Sequence, residues 1–199
     1  AVMTLRCDVI LCGVGGQGVL SLSALIADAA LAEGLSVKQS EHHGMSQRGG
    51  SVVADLRIAD RAISSPTIPT GSADLVLSME PMEALRSVGR LAPTGTIVTA
   101  AEPVLNFEAY PELGTVLDAV RAIPRAVLVE ADTIAKQARA RRAANMVLIG
   151  AAAHLLPVSA TAIRHAIRAR FVSKGEAVIE ANFRAFDAGL AVTSVPRGR

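Results

Sequence analysis

An apolar run at residues 8–13, closed by glycine, has the pattern of a strand buried on both faces and predicts a central place in a sheet. From Gly18 to about Glu33 the period changes. Leu20, Leu22, Leu25, Ile26, Ala29 and Ala30 recur at helical spacing, and Gly34 stands where such a helix stops. Short runs at 35–40 (LSVKQS) and 51–59 (SVVADLRIA) predict two further strands. Only about ten residues, EHHGMSQRGG, separate them, too few for the helical crossover that joins parallel strands. The sheet is therefore expected to be mixed.

Strands are predicted again at 73–79, 95–100 and 126–130. A helix is predicted over EPMEALRSVGRL after the first of these, with Pro81 suited to its first turn. Asp132 is read as the cap of a helix TIAKQARARR. The last third reads as helical throughout: NMVLIGAAAHLL, then SATAIRHAIRARF capped by Ser159, then an amphipathic run from about Gly175 to Leu190. The fold class that follows is α/β: three α/β/α layers around a mixed, mostly parallel sheet. It is Rossmann-like without the standard Rossmann strand order, with a helical C-terminal third. Residues 1–199 are expected to form a single domain, with about 145–190 as its helical part.

Composition narrows the partners. The chain has 199 residues, 51% hydrophobic and 19% charged, which suits one globular core. Lys and Arg exceed Asp and Glu by only 20 to 18, and there are four Phe, one Tyr and no Trp to stack on bases, which argues against nucleic acid. The basic stretch RARR at 139–142 reads as a solvated helix face. No secretory leader is recognisable, and the longest apolar run, from Met146, is shorter than the roughly 20 residues a membrane helix needs; a cytoplasmic protein is expected. Cys7 and Cys12 sit at odd spacing on one predicted strand and so point to opposite faces. Two thiols also fall short of the four that an iron–sulfur cluster takes.

The strand-to-helix turn GVGGQG carries Gly13, Gly15 and Gly18 in GxGxxG spacing, with Gly16 and Gln17 between them. Such a turn offers backbone N–H groups and the positive end of a helix to an anion. The dinucleotide version also wants an acid at the end of the second strand. Only Glu41 is near, and a second loop, SEHHGMSQRGG, stands there instead of a helix. Within that loop Gly44, Gly49 and Gly50 permit tight turns, Arg48 offers a bidentate fork to phosphate or carboxylate, and His42 and His43 can titrate near neutrality. The same residues are equally consistent with glycines that only shape the loop and an Arg48 paired with a neighbouring acid. Adjacent histidines without further ligands do not make a metal set.

Taken together, GVGGQGVLSLSALIADAALAEG and HGMSQRGGSVVADLRI resemble the gamma-type subunit or domain of the 2-oxoacid:ferredoxin oxidoreductases. SEHHGMSQRGGSVVADLRI is most similar to the smaller, beta subunits of the indolepyruvate ferredoxin oxidoreductases, and the likeness extends to NMVLIGAA and EANFRAFDAG. The resemblance implies a non-cofactor subunit. It would work with a large alpha subunit that carries thiamine diphosphate, magnesium and iron–sulfur clusters, oxidatively decarboxylating an aryl pyruvate, forming acyl-coenzyme A and passing electrons to ferredoxin through the complex. No catalytic residue and no metal site are assigned to this chain, which is expected to be inactive alone; a homodimer of the isolated chain is left open. Gly13, Gly15, Gly16, Gln17, Gly18, Gly44, Arg48, Gly49 and Gly50 form the candidate interface or coenzyme A/phosphate site. A stand-alone nucleotide-binding module and an oligomerising structural protein remain the alternatives.

Overall fold

The computed structural model describes residues 5–43, 49–105 and 110–194. Six strands, β1 (Arg6–Val14), β2 (Ser36–His43), β3 (Ser51–Ala59), β4 (Ala73–Ser78), β5 (Leu91–Ala100) and β6 (Ala126–Val129), form one sheet in the order β2-β3-β1-β4-β5-β6. β1 is central, and all but its first residue are buried. It pairs in parallel with β4, β4 with β5 and β5 with β6, while β1–β3 and β2–β3 are antiparallel. β2 and β3, separated by too few residues for a crossover, are thus antiparallel neighbours, and the sheet is mixed as expected.

Among the described residues seven α-helices cover the sheet: α1 (Val19–Ala32), α2 (Pro81–Ser87), α3 (Leu113–Arg121), α4 (Ala131–Gln137), α5 (Ala144–Ala152), α6 (Ala160–Phe171) and α7 (Glu176–Ser194). On one face α1 and α4–α7 bury Leu22, Leu25, Ile26, Met146, Ile163 and Phe186 against alternate strand residues such as Val9, Leu11, Leu56 and Leu77. On the other, α2 packs Ala84 over Ile10, Cys12, Val76 and Ile97, with α3 beside it. Ser159 caps α6 as its sequence position suggests, its hydroxyl accepting the Ala162 N–H at 3.1 Å.

Three local expectations give way to the structure. Asp132 does not cap α4. The helix starts two residues earlier than that, at Ala131, and the Glu102 carboxylate, just past β5, takes the N–H groups of Ala131 and Asp132 at 3.1 and 3.0 Å. RARR is not a helix face, because α4 ends at Gln137 and Arg139 adopts a left-handed φ of 54°. The Ala140 N–H then reaches back to the Ala135 carbonyl, which closes the helix end, and Arg184 donates to the carbonyls of Ala138 and Arg139. The predicted helix after β4 stops at Ser87 and finishes in a 3-10 turn, residues 88–90. α3 has no counterpart among the predicted elements. Its short span has Gly114 in the first turn, and the Glu112 carboxylate that accepts the Gly114 and Thr115 N–H groups secures its start as a helix.

Cys7 and Cys12 lie on opposite faces of β1, each buried and free. Burial pushes the Cys7 thiol up to about 12, helped by Asp74 and Asp8, and the Cys12 thiol up to about 11. Neither thiol in the folded chain is expected to react with Ellman's reagent at neutral pH, and both should react in denaturant. Unfolded thiols ionise near pH 8.5, whereas the folded ones stay protonated. Above that pH the unfolded state binds fewer protons, so stability falls from about pH 9 towards 11–12. Urea midpoints across this range should show that slope, flattened in a Cys7→Ala/Cys12→Ala variant; a variant with the unaltered slope would refute the assignment.

Candidate functional site

The carboxyl ends of β1, β4, β5 and β6 point the same way, and the order of the parallel strands leaves a crevice there, beyond β1 and β4, of the kind in which α/β proteins place ligands. The chain leaves β1 through Gly15–Gly18 and enters α1. Gly16 (φ 105°) and Gly18 (φ 86°) occupy left-handed backbone that side chains resist, and Gly18 is the residue from which α1 starts. No side chain caps that helix, so its first-turn N–H groups stay open to solvent or ligand.

The two loops singled out in the sequence meet. The Gly15 N–H donates to the Gly50 carbonyl at 2.8 Å, and the Gly49 N–H points to the Gly15 carbonyl at 3.5 Å, continuing the ladder in which Val14 pairs with Ser51. Gly15, Gly49 and Gly50 therefore join loop to loop, and the Gly15 N–H is already taken. Gly13 is glycine for packing: a Cβ there would lie 2.9 Å from Gln17 Oε1, 2.9 Å from Met79 Cβ and 3.0 Å from Val19 Cγ2. Among the described residues, the Gly16 and Gly18 N–H groups have no hydrogen-bond partner. Gly44 and Arg48 lie outside the described residues. His42 is exposed on β2, its Nε2 3.3 Å from Ser40 Oγ, and lines neither depression described next.

One depression of about 260 Å³ lies over the strand ends, between Gln17, Met79, Ala100, Glu102 and Leu148. A second, of about 710 Å³, opens at the head of α1 between the α4–α5 turn and α6–α7. Gln17, Arg141, Arg142 and Asn145 line both, so the two form one groove past the glycine turn. Arg139, Arg141, Arg142, Arg170 and Lys174 line the larger part, and among the described residues no carboxylate does. Arg170 reaches Asp28 at 3.8 Å; among the described residues the side chains of Arg139, Arg141 and Arg142 have no ion pair. Asn145, close to Gly18, brings an amide to the junction of the two depressions. What the groove can do chemically is hold an extended anion, through open N–H groups, a helix end and fixed cations.

Sequence reasoning missed Asn145 and the α4–α5 arginines as site residues. It also missed an acidic pocket of about 70 Å³ on the other side of the turn, beside Val14 and Gly49. There buried Glu80 accepts the Tyr110 hydroxyl at 2.5 Å and the Glu83 N–H at 2.9 Å. Glu83 accepts Ser51 at 2.5 Å and pairs with Arg86 at 2.6 Å. Burial, then Glu80, pushes the Tyr110 hydroxyl well above the usual tyrosine range, so it stays a donor. Glu80 and Glu83, three apart around Pro81, were the available signal, a helix start with its own cap. At the opposite end of the sheet Arg6, Arg57 and Arg61 line a depression of about 360 Å³, but buried Asp8 holds both Arg6 and Arg57. Arg57 also donates to the Ser65 and Thr67 carbonyls, which makes this a clamp on the loop after β3.

Among the described residues no three His, Cys, Asp or Glu converge as a metal would need, and no helix is long and apolar enough to cross a membrane. β2, whose end carries Glu41, lies one strand beyond β3, so its backbone runs about 10 Å from β1, twice the spacing of the neighbouring strand that carries the acid in a dinucleotide fold.

A family model described as pyruvate ferredoxin/flavodoxin oxidoreductase matches residues 8–192. The indolepyruvate oxidoreductase subunit IorB of Archaeoglobus fulgidus is 34% identical over 194 residues, 93% of this chain and 94% of that protein. Among solved structures, the gamma subunit of a keto/oxoacid ferredoxin oxidoreductase from Geobacter sulfurreducens superposes with a TM-score of 0.71 at 23% identity, over 94% of this chain and 98% of that one. The 2-oxoglutarate:ferredoxin oxidoreductase of Magnetococcus marinus, with 2-oxoglutarate, coenzyme A and succinyl-CoA bound, gives 0.76 at 22% identity. It matches over 95% of this chain, which spans 31% of that larger one. At such identities the two structures speak for the fold.

Proposed function

The chain belongs to the pyruvate ferredoxin/flavodoxin oxidoreductase family, and from that membership we propose that it is the small, non-cofactor subunit of a 2-oxoacid:ferredoxin oxidoreductase acting on indolepyruvate or related aryl pyruvates. With a large subunit it converts the oxoacid and coenzyme A to acyl-coenzyme A and CO2, reducing ferredoxin, in the cytoplasm. Thiamine diphosphate, magnesium and the iron–sulfur clusters belong to that partner. The donor set here does not fit a cluster: two thiols, buried on opposite faces of a strand, cannot share one. No chemical step is therefore assigned to a side chain of this chain.

Its contribution is a binding surface for coenzyme A, whose phosphates are the anions in the reaction that suit the basic groove. The observation that carries this is the groove itself, where the open head of α1 faces arginines on the α4–α5 turn and no carboxylate among the described residues lines the larger depression. Of the sequence-picked residues, Gly16 and Gly18 would offer N–H groups to a phosphate. Gly15, Gly49 and Gly50 hold the two loops together and Gly13 makes room for Gln17, while Gly44 and Arg48, outside the described residues, stay candidates by their chemistry alone. Asn145 joins them as a hydrogen-bonding group at the narrow point.

Coexpression tests the assignment. The two subunits together are expected to reduce ferredoxin with indolepyruvate in a coenzyme A-dependent manner, and neither alone should do so. A large subunit fully active without this chain would overturn it.

A further inference from the structure

Gln17 lines both depressions, yet its amide faces inward. Oε1 accepts the Val14 N–H at 2.7 Å and Nε2 donates to the Met79 carbonyl at 3.0 Å. Met79 in turn donates its N–H to the Cys12 carbonyl at 2.8 Å, so the ends of β1 and β4 are tied twice, once through backbone and once through this side chain. The space under the turn is kept for it: Gly13 has no Cβ where Gln17 Oε1 sits. Gln17 also has its own N–H on the Val14 carbonyl at 3.0 Å, which closes the turn from the backbone side. On either side of it stand Gly16 and Gly18, whose N–H groups are open among the described residues.

Only one side chain meets this geometry. The two partners are a donor and an acceptor at opposite ends of one planar group, two methylenes from the backbone. Glutamate lacks the donor once ionised, methionine lacks both, and asparagine is one methylene short. We propose that Gln17 is a positioning residue: clamped between Val14 and Met79, it fixes the Gly16 and Gly18 N–H groups at the head of α1 where an anionic co-substrate meets them, and it does not touch that co-substrate through its amide. This rests on the coenzyme A reading of the groove, and it gives the side chain a structural hold on the turn in place of a ligand contact.

The experiment uses the two-subunit complex with Gln17→Glu and Gln17→Met, and reads both steady-state kinetics in coenzyme A and amide hydrogen exchange over residues 14–19. Near pH 8 the ionised carboxylate of Gln17→Glu still accepts from Val14 but faces the Met79 carbonyl without a proton. The KM for coenzyme A is expected to rise about tenfold, with kcat at saturation within about twofold, and exchange over 14–19 to quicken while the rest of α1 is unchanged. As the pH is lowered, the introduced carboxylate takes up a proton, donates to Met79 as glutamine does, and KM returns towards the wild-type value. Wild type run in parallel corrects for any other pH dependence of the groove, whose charged residues around Gln17 are Glu102, Asp132, Arg139, Arg141, Arg142, Arg170 and Lys174. Gln17→Met removes both bonds at similar volume and should show the raised KM and faster exchange at every pH, so the test survives a failure of the glutamate variant to fold.

A raised KM with unchanged exchange and no recovery at low pH would mean that the amide binds the co-substrate directly, and the proposal would fall; so would unchanged kinetics with unchanged exchange. Faster exchange in both variants, in a protein whose KM for coenzyme A ignores the groove arginines, would keep the clamp and discard the coenzyme A reading instead.

Discussion

Gly150→Ala should destabilise the chain by more than about 3 kcal/mol, although alanine is the better helix former by about 1 kcal/mol. α5 and α7 cross where Gly150 faces Gly189, and the contact is backbone on backbone. A Cβ on Gly150 would land on the Phe186 carbonyl oxygen, with the Gly189 Cα 2.9 Å away. A Cβ on Gly189 would land on the Val147 carbonyl oxygen, with the Ala151 nitrogen at 3.0 Å. None of these atoms sits at the end of a flexible side chain, so the helices must separate. Separation pulls Val147, Ile149, Ala185 and Phe186, all at 0% exposure, out of register. Sterics therefore outweigh propensity, and the sign of the effect reverses.

Both substitutions strain the same crossing, and once one has forced the helices apart the other has less to displace, so Gly150→Ala/Gly189→Ala should cost much less than the sum of the singles. Gly89→Ala is the control: a Cβ there meets nothing within 4 Å. Its stability from urea unfolding is expected to stay within about 0.5 kcal/mol of wild type. If Gly150→Ala unfolds at the same midpoint as Gly89→Ala, the crossing is not tight and the account is wrong.

This crossing also marks what a single sequence does and does not disclose. NMVLIGAA and EANFRAFDAG stand out as segments of the resemblance, but a glycine inside a helical pattern reads only as a local cost; that the two glycines face each other is a fact of packing. α1 and β3 were legible because their apolar residues keep one period, β1 because an unbroken apolar run marks a strand packed between two cores, and the antiparallel excursion because chain length alone forbids a crossover. The end of α4 was not, since the left-handed residue there is Arg139 instead of glycine. Nor was its cap, because Glu102 lies 29 residues before Ala131. At the site, the glycine turn was found and its partner loop was found, and the Gly15–Gly50 bond shows them joined. The direction of the Gln17 amide was beyond reach, because nothing in the local pattern says that Met79 will be its acceptor. The arginines of the groove were seen as a solvated face, since their common aspect depends on a turn that the pattern did not predict.

Those arginines carry the largest functional effect expected. Arg141→Glu/Arg142→Glu in the two-subunit complex should raise the KM for coenzyme A by about a hundredfold with kcat nearly unchanged. Two charges about 6 Å from a phosphate, at an effective dielectric between that of water and about 20, are each worth roughly 0.7–2.8 kcal/mol, and reversal both removes and inverts them. Neither arginine has an acidic partner among the described residues and both are exposed, so the fold should tolerate the change. The same physics sets a second readout. With a Debye length of about 8 Å at physiological ionic strength, the wild-type KM should climb steeply with salt, and the reversed variant should lose that slope. Arg121→Glu is the matched control, because Arg121 is 58% exposed on α3, pairs with Asp118 at 2.7 Å and lies across the sheet from the groove. A coenzyme A KM for Arg141→Glu/Arg142→Glu no higher than that of Arg121→Glu, with the salt slope intact, would take the phosphates away from this groove while leaving the chain's place in the complex to the coexpression test.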